Sequence, residues 1–249
     1  MKTIPVLAII SILWSLSAYA ITFEQTVTAV VLSTPIINVY SPTNDIFNDK
    51  KIQFNITTDQ IVDTLEFINH NENNPHFRTL CTNCSSYGYT SKKLITLEEG
   101  ENELTIRASV STLVNEVNVS LFIDSIAPKE TGTEPDDNDF AFGIFTVEYD
   151  EINLKKTTLF YGESSLEKTD CPRGEDQICE FNVDLTPYNS QEIEYFFMLE
   201  DIAGNRDESN KKDIKIDLTP PEITELSYEI FEDDVDFHIE VSEDNVKIT

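Results

Sequence analysis

A proline recurs at a fixed interval along this chain. Pro35, Pro128 and Pro221 are spaced 93 residues apart. Apolar segments at residues 121–123 and 214–216 lead into the second and third copies. Because proline fixes the backbone and withholds a hydrogen-bond donor, it suits the link between one strand and the next. A regular period is the signature of a repeat protein, so the sequence predicts repeating units of this length.

The pattern within each repeat is that of β-strands. Apolar side chains alternate with polar ones across residues 52–57, and residues 145–149 repeat this alternation at the same offset. A period of two is the mark of a half-buried strand. No segment keeps an apolar period of about 3.6 residues, so few helices are expected. About seven short strands per repeat, separated by turn residues, predict a two-sheet Greek-key sandwich.

Residues 195–205 read Tyr-Phe-Phe-Met-Leu-Glu-Asp-Ile-Ala-Gly-Asn. They resemble the penultimate strand and Asp-x-Ala-Gly-Asn turn of tandem immunoglobulin-like or fibronectin-III-like repeats of bacterial and archaeal exported surface proteins. Residues 100–108 resemble the Gly-x-Asn entry to that strand, and residues 217–221 resemble the Asp-x-Thr-Pro-Pro spacer. The first repeat departs from the pattern, because residues 109–115 lack the turn motif. The resemblance implies an all-β chain of tandem sandwiches and is loose for function.

The domain plan combines the period with an N-terminal signal. Lys2 precedes an apolar run over residues 4–16, and Ala-Tyr-Ala ends at Ala20, which is typical of a cleaved secretory signal. The last repeat matches the second at an offset of 92 but contains about two strands, too few to bury a core. We therefore expect a longer array. The predicted organisation is a signal at 1–20, a β-rich lead-in at 21–34, sandwiches at 35–127 and 128–219, and a partial third repeat at 220–249.

The net charge and hydropathy of the chain limit the kinds of partner that it can have. The formal net charge is −29, which opposes nucleic acid and anionic membrane. The same acidity suits calcium, a salty medium or a surface that must stay soluble. After the signal, no stretch is apolar for long enough to be expected to cross a membrane. The sequence therefore predicts an extracellular or cell-surface location, with an unknown protein or glycan as the ligand.

Four cysteines lie at nearly equivalent points of the two repeats. In an exported chain, cysteines are expected to form disulfides. We predict local links between Cys81 and Cys84 and between Cys171 and Cys179. A redox Cys-x-x-Cys motif or half of a zinc site is the alternative for the first pair. A redox motif needs the start of a helix, and zinc needs two further ligands where only two histidines lie nearby.

Three Asn-x-Ser/Thr sequons fall in the first repeat, at Asn55, Asn83 and Asn118. Asn55 and Asn118 have the outward parity of their strands, as attachment of a glycan requires. The alternative is chance, since asparagine is abundant in this chain. We predict glycosylation at these three positions, subject to the organism in which the chain is made.

Acidic loops suggest a calcium site. In a sandwich, the loops after the second and sixth strands lie at the end that faces the preceding domain. Carboxylates gathered at a domain junction would suit calcium, which takes about six to eight oxygen ligands. The alternative is a solvated acidic surface without an ordered ion. The expected ligands are Asp124, Asp150, Glu151, Asp201 and Asp207.

Signals of catalysis are missing from the sequence. The chain has only three histidines and seven glycines, and no nucleophile–base pair or glycine-rich phosphate loop is recognisable. We expect a protein that is not an enzyme and requires no cofactor, with room for calcium. One hypothesis is a surface array that acts as a stalk, coat or adhesion module. The other is a set of spacer or accessory domains of a larger exported protease or glycosidase, whose catalytic part lies beyond Thr249.

Overall fold

The structure is a computed structural model that describes residues 33–220, 222–231 and 234–242. Within these ranges the chain is almost entirely β-strand, and the one helical segment is a single 3-10 turn at Thr186–Tyr188. None of the described helical residues forms a helix long and apolar enough to span a bilayer. The prediction of an all-β fold with few helices is confirmed.

The chain divides into two compact units between Asp124 and Ser125. The predicted signal at 1–20 lies outside the described residues, as does most of the predicted lead-in at 21–34. The domain boundaries drawn from the sequence stay predictions.

The first unit is a sandwich of seven strands. Their order in the sheet is β1-β3-β6-β7-β2, and β4 and β5 also pair with β3. All pairs are antiparallel except that of β2 with β7, which is parallel. The strands are β1 (Ile37–Ser41), β2 (Ile46–Phe47), β3 (Lys51–Asn69), β4 (Arg78–Tyr87), β5 (Lys93–Thr96), β6 (Gly100–Val110) and β7 (Leu113–Ile123).

Strand β3 differs from the sequence prediction. The alternation predicts a strand at residues 52–57, whereas this strand continues past Leu65 and Phe67 and has 19 residues. No glycine or proline interrupts the chain between residues 57 and 65, so the backbone passes through an irregularity between Thr57 and Val62 instead of a turn. The first half of β3 pairs with β1 and β5 and the second half with β6, so one strand serves both layers.

The second unit contains a sandwich of two separate sheets. One sheet has the order β12-β9-β8, and the other has the order β11-β10-β13-β14 with β15 also paired to β13. This division is that of a Greek-key sandwich. The strands are β8 (Lys129–Glu134), β9 (Ile144–Glu151), β10 (Leu154–Tyr161), β11 (Ser164–Lys168), β12 (Gly174–Asn182), β13 (Gln191–Asp201), β14 (Arg206–Glu208) and β15 (Lys212–Ile216).

The alternating residues that defined the repeat form the core of each unit. In β3 and in β9 the apolar positions point inward and are buried, as the period of two predicts. In the second unit aromatic rings meet across the two sheets, with centroids 5.0 Å apart for Phe145 and Tyr195 and 5.4 Å apart for Phe181 and Phe197. The inward residues are Ile52, Phe54 and Ile56 in the first unit, and Phe145, Val147 and Tyr149 in the second.

A two-stranded hairpin follows the second sandwich in sequence. It pairs β16 (Ile223–Phe231) with β17 (Asp234–Val241) in antiparallel register. These strands fall in the predicted partial third repeat. Pro221 and residues 232–233 and 243–249 of that repeat lie outside the described residues.

Candidate functional site

The Asp-x-Ala-Gly-Asn motif is a turn that its own aspartate stabilises. Asp201 ends β13 and is fully buried. Its Oδ1 accepts hydrogen bonds from the amides of Ala203 (2.8 Å) and Asn205 (2.9 Å), and its Oδ2 accepts one from Asn205 Nδ2 (2.7 Å). Gly204 adopts φ +85°, a conformation that favours glycine. The motif is therefore explained by turn geometry, because a buried carboxylate needs several donors.

Asp150 and Glu151, two further expected calcium ligands, also accept hydrogen bonds from backbone amides. Asp150 Oδ1 accepts from the Asp176 amide at 2.8 Å, and Glu151 Oε1 accepts from the Asn153 amide at 2.5 Å. These bonds hold the ends of β9 and β12 and the turn into β10. Local amides therefore account for at least one oxygen of each carboxylate.

Asp207 fastens one sheet of the second unit to the other. Its Oδ2 accepts a hydrogen bond from the Glu130 amide of β8 at 2.8 Å, and its Oδ1 accepts one from the Glu208 amide at 3.1 Å. Burial of the Glu130 carboxyl, together with the nearby Asp207 charge, raises the pKa of Glu130. The Glu130 and Asp207 carboxylates repel each other, which reduces the stability that this link contributes.

Asp124 is the last residue of the first unit and is buried, and its amide donates to the Phe47 carbonyl oxygen at 2.9 Å. Across the described ranges, no group of three or more His, Cys, Asp or Glu side chains is arranged to hold a metal ion. The calcium site stays a prediction. Four of its five expected ligands, Asp150, Glu151, Asp201 and Asp207, already accept hydrogen bonds from amides.

Both predicted disulfides are present. Cys81 bonds to Cys84 and Cys171 bonds to Cys179. The first pair lies within strand β4, where Asn83 between the cysteines adopts φ +49°. In the second pair, both sulfur-bearing residues are buried against the core of their unit. All four cysteines of the chain are paired, which leaves no free thiolate to bind zinc. Cys81 and Cys84 lie within a strand, away from the start of a helix that a redox Cys-x-x-Cys motif needs.

The three sequons differ in exposure. Asn118 and Ser120 are exposed on β7, and Asn118 Oδ1 accepts a hydrogen bond from the Thr105 hydroxyl at 2.8 Å. Asn83 is exposed but lies inside the short disulfide loop. Asn55 is half-buried, and its side-chain oxygen is enclosed. Glycosylation stays a prediction at all three, and Asn118 offers the most open attachment point.

A shallow polar cleft of about 600 Å³ lies beside Asn118 and was not predicted from the sequence. His70 Nε2 lies 2.8 Å from the Thr105 hydroxyl, which continues the chain of hydrogen bonds to Asn118. The signal that could have found this network is the outward parity of Thr105 and Asn118 on neighbouring strands. The lining residues are Asn44, His70, Glu103, Leu104, Thr105, Asn118, Val119 and Ser120.

A second unexpected cluster lies on the outer face of the second unit. Phe160 and Phe196 stack with ring centroids 4.7 Å apart, and the Lys211 ammonium lies 5.1 Å from the Phe196 centroid. Nearby, the buried Glu200 accepts hydrogen bonds from Lys155 and Arg206, which hold the pKa of its carboxyl below its ordinary value. This cluster covers the outer face of the sheet with ion pairs and stacked aromatic rings.

The class that the fold defines is an all-β chain of tandem Greek-key sandwiches. No family model and no curated protein sequence matches it. Solved structures with similar folds include titin domains A168-A170 (11% identity, 80% of this chain and 73% of that chain, TM-score 0.43). Another is the titin I-band fragment I67-I69 (14% identity, 78% and 69%, TM-score 0.47). A third is the FN1-FN3 domains of chicken CNTN1 (10% identity, 80% and 71%, TM-score 0.34). Similarity at this level concerns fold alone.

Proposed function

We propose that the chain is a non-catalytic extracellular or cell-surface protein whose sandwiches act as a stalk, coat or adhesion module. The observation that carries the proposal is the presence of one closed disulfide in each unit. Disulfides persist in oxidising compartments and are rare in the cytosol. The resemblance of residues 195–205 supports a bacterial or archaeal exported surface protein as the source.

The ligand that we propose is a protein or a glycan at the cell surface. The polar cleft beside His70 supports this proposal, because it presents an imidazole, a carboxylate and two amide side chains at an open surface. Such groups can hydrogen-bond to sugar hydroxyls or to a peptide backbone. The net charge of −29 favours a neutral or cationic ligand.

Export and oxidation test the proposal together. The full chain is produced in an export-competent host beside a matched chain that lacks residues 1–20. We expect the full chain outside the cytoplasm, cut after Ala20 and without free thiols by intact mass under non-reducing conditions. The matched chain should stay in the cytosol with reactive thiols. Retention of the full chain in the cytosol with four free thiols would overturn the proposal.

A further inference from the structure

The polar cleft beside Asn118 lies on the outer face of two paired strands of the first unit. On β6, Glu103 and Thr105 line the cleft. Their cross-strand partners on β7 are Ser120 and Asn118, which line it as well. The backbone of β6 is already paired on both sides, with β3 and with β7. A ligand in the cleft therefore meets side chains and not a free strand edge.

The hydrogen bonds of the cleft leave the amide nitrogens of two asparagines free to donate. Asn44 Oδ1 accepts a hydrogen bond from the Ser120 amide at 2.9 Å, and Asn118 Oδ1 accepts one from the Thr105 hydroxyl at 2.8 Å. Both asparagines are exposed, and within the described residues neither Nδ2 group has a protein partner. Each Nδ2 carries two hydrogens, and both pairs are available to a ligand.

Hydrogen-bond acceptors lie beside these donors. The Thr105 hydroxyl has one hydrogen, which it donates to Asn118, so its oxygen accepts from His70 Nε2–H at 2.8 Å. In its neutral form the His70 ring then keeps Nδ1 as an acceptor. Glu103 adds an exposed carboxylate, and among the described residues only its backbone groups form hydrogen bonds. The cleft therefore presents donors and acceptors side by side.

Buried amides hold these groups in place. Asn69 and Asn102 are fully buried, and Asn69 Nδ2 donates to Asn102 Oδ1 at 2.6 Å. Asn69 Oδ1 accepts from the Asn71 amide at 3.1 Å, and Asn71 Oδ1 accepts from the Glu103 amide at 2.7 Å. This network joins the connection that carries His70 to the strand that carries Glu103. The cleft is therefore formed before a ligand arrives, which lowers the entropy cost of binding.

We propose that this cleft binds a neutral oligosaccharide, an inference that rests on the proposed extracellular function and selects the glycan among its ligands. A sugar hydroxyl both donates and accepts, so adjacent hydroxyls can meet the Glu103 carboxylate and the two asparagine amides together. The volume of about 600 Å³ lies within the range of small-ligand sites. The Glu103 charge disfavours an anionic sugar. An extended peptide would pair with a free strand edge, which the β6–β7 face lacks.

The same nitrogen atom belongs to the Asn118 sequon. A glycan attached at Asn118 would be linked through Nδ2 and would occupy the cleft. Attachment of a glycan and binding of a separate oligosaccharide therefore exclude each other at this position. A chain that carries a glycan at Asn118 is expected to be closed to the ligand, so the test uses protein made without N-glycosylation.

Saturation-transfer NMR of the full chain with trisaccharides tests the proposal. The probes are maltotriose, cellotriose, mannotriose and triacetylchitotriose, with 3′-sialyllactose as the anionic control. We expect saturation of at least one neutral trisaccharide, with a dissociation constant on the order of 1 mM at so open a site, and none of sialyllactose. Saturation of none of the neutral probes, or of sialyllactose equally, overturns the proposal.

Substitution of one carboxylate shows whether the bound sugar uses the cleft. Glu103→Ala should raise the dissociation constant about tenfold or more, because hydrogen bonds to a charged group are lost. Glu101 is exposed on the same strand and does not line the cleft, so Glu101→Ala removes the same charge and should change the constant less than about twofold. Equal effects of the two substitutions, or no effect of Glu103→Ala, overturn the proposal.

The histidine ring signals locate the sugar independently of any substitution. The chain has three histidines, all within the described ranges, and His70 is the one that lines the cleft. Titration with the bound trisaccharide should shift the His70 signals and leave those of His76 and His238 in place. Unshifted His70 signals overturn the proposal. If no sugar binds and a peptide library is retained by the wild type but not by Glu103→Ala, the ligand is a protein. The sugar proposal then fails, and the proposed extracellular function stands.

Discussion

The two units stabilise the turn after corresponding strands in different ways. In the second unit, Asp201 at the end of β13 accepts hydrogen bonds from Ala203 and Asn205 within its own turn. In the first unit, β6 continues through a tight turn into β7, and Ser111 adopts φ +53°. The Ser111 amide donates to Asp63 Oδ2 at 2.6 Å, from a strand 48 residues away in sequence.

This difference shows that one physical requirement can be met locally or at a distance. Each turn has a backbone amide that needs an acceptor, and a carboxylate supplies it in both units. Asp201 is buried and saturated with donors, whereas Asp63 is exposed. The local carboxylate should therefore contribute more stability than the remote one, because loss of a buried acceptor leaves amides without partners.

The largest effect is expected from Asp201→Ala. Loss of the carboxylate leaves the Ala203 and Asn205 amides without their acceptor, so the free energy of unfolding of the second unit should fall by about 3 kcal/mol. Asp201→Asn retains one oxygen acceptor and should cost clearly less. Urea unfolding followed by circular dichroism measures both. Equal losses for the two variants would show that the charge, and not the acceptor geometry, matters.

The next largest effect is expected from removal of the disulfides, one of which lies in each unit. The chain-entropy estimate gives about 2.5 kcal/mol for the larger ring of Cys171–Cys179 and about 2 kcal/mol for the smaller ring of Cys81–Cys84. Paired serine substitutions should lower the thermal stability of the unit that carries them. Calorimetry of each double variant beside the wild type measures the shift. A larger loss from the smaller ring would contradict the chain-entropy explanation.

Asp63→Ala should have a smaller effect, about 1 kcal/mol on the first unit, because one exposed hydrogen bond is lost. Asp63→Asn keeps an oxygen acceptor for the Ser111 amide and serves as the matched control. Urea unfolding would again measure the change. A loss as large as that of Asp201→Ala would remove the distinction between local and remote acceptors.

Alkaline pH should destabilise the second unit more than the first, because the second unit contains two buried tyrosines. Burial raises the pKa of Tyr149 and of Tyr195 from 10.0 to about 12. Their hydroxyls donate to the carbonyl oxygens of Pro172 and Pro135. Since the folded pKa exceeds the unfolded one, this stability is complete below pH 10 and is lost as pH rises toward 12. Absorbance of tyrosinate during alkaline titration would follow it. The double variant with Tyr149→Phe and Tyr195→Phe should not lose stability over this pH range. If it loses as much stability as the wild type, ionisation of these tyrosines is not the cause.

Calcium should give the smallest difference between the units, and its role stays a prediction from the acidic loops. If the ion binds, millimolar calcium should raise the melting temperature, and Asp124→Asn with Asp201→Asn should abolish the effect. Magnesium at equal ionic strength is the control for screening. If Asp201→Ala costs the same stability with and without calcium, its carboxylate acts only on the turn.

The sequence predicted most where a period or a motif has a single physical meaning. The alternation at Ile52 and Phe145 could only place those side chains in a core, and the cysteines had local partners. The sequence did not predict that β3 would be continuous, because nothing local distinguishes a bulge from a turn when glycine and proline are absent. The hydrogen bond between Asp63 and Ser111 could not be predicted either, because a contact over such a separation in sequence depends on the folded topology.

We expect the two compact units, each with its own carboxylate-held turn, to respond independently when that turn is weakened. Hydrogen exchange of the full chain, followed by mass spectrometry of peptides, tests this most directly. Asp201→Ala should speed exchange in β13 and β14 and leave β6 and β7 at wild-type rates, while Asp63→Ala should do the reverse. Faster exchange across both units after either substitution would contradict the account.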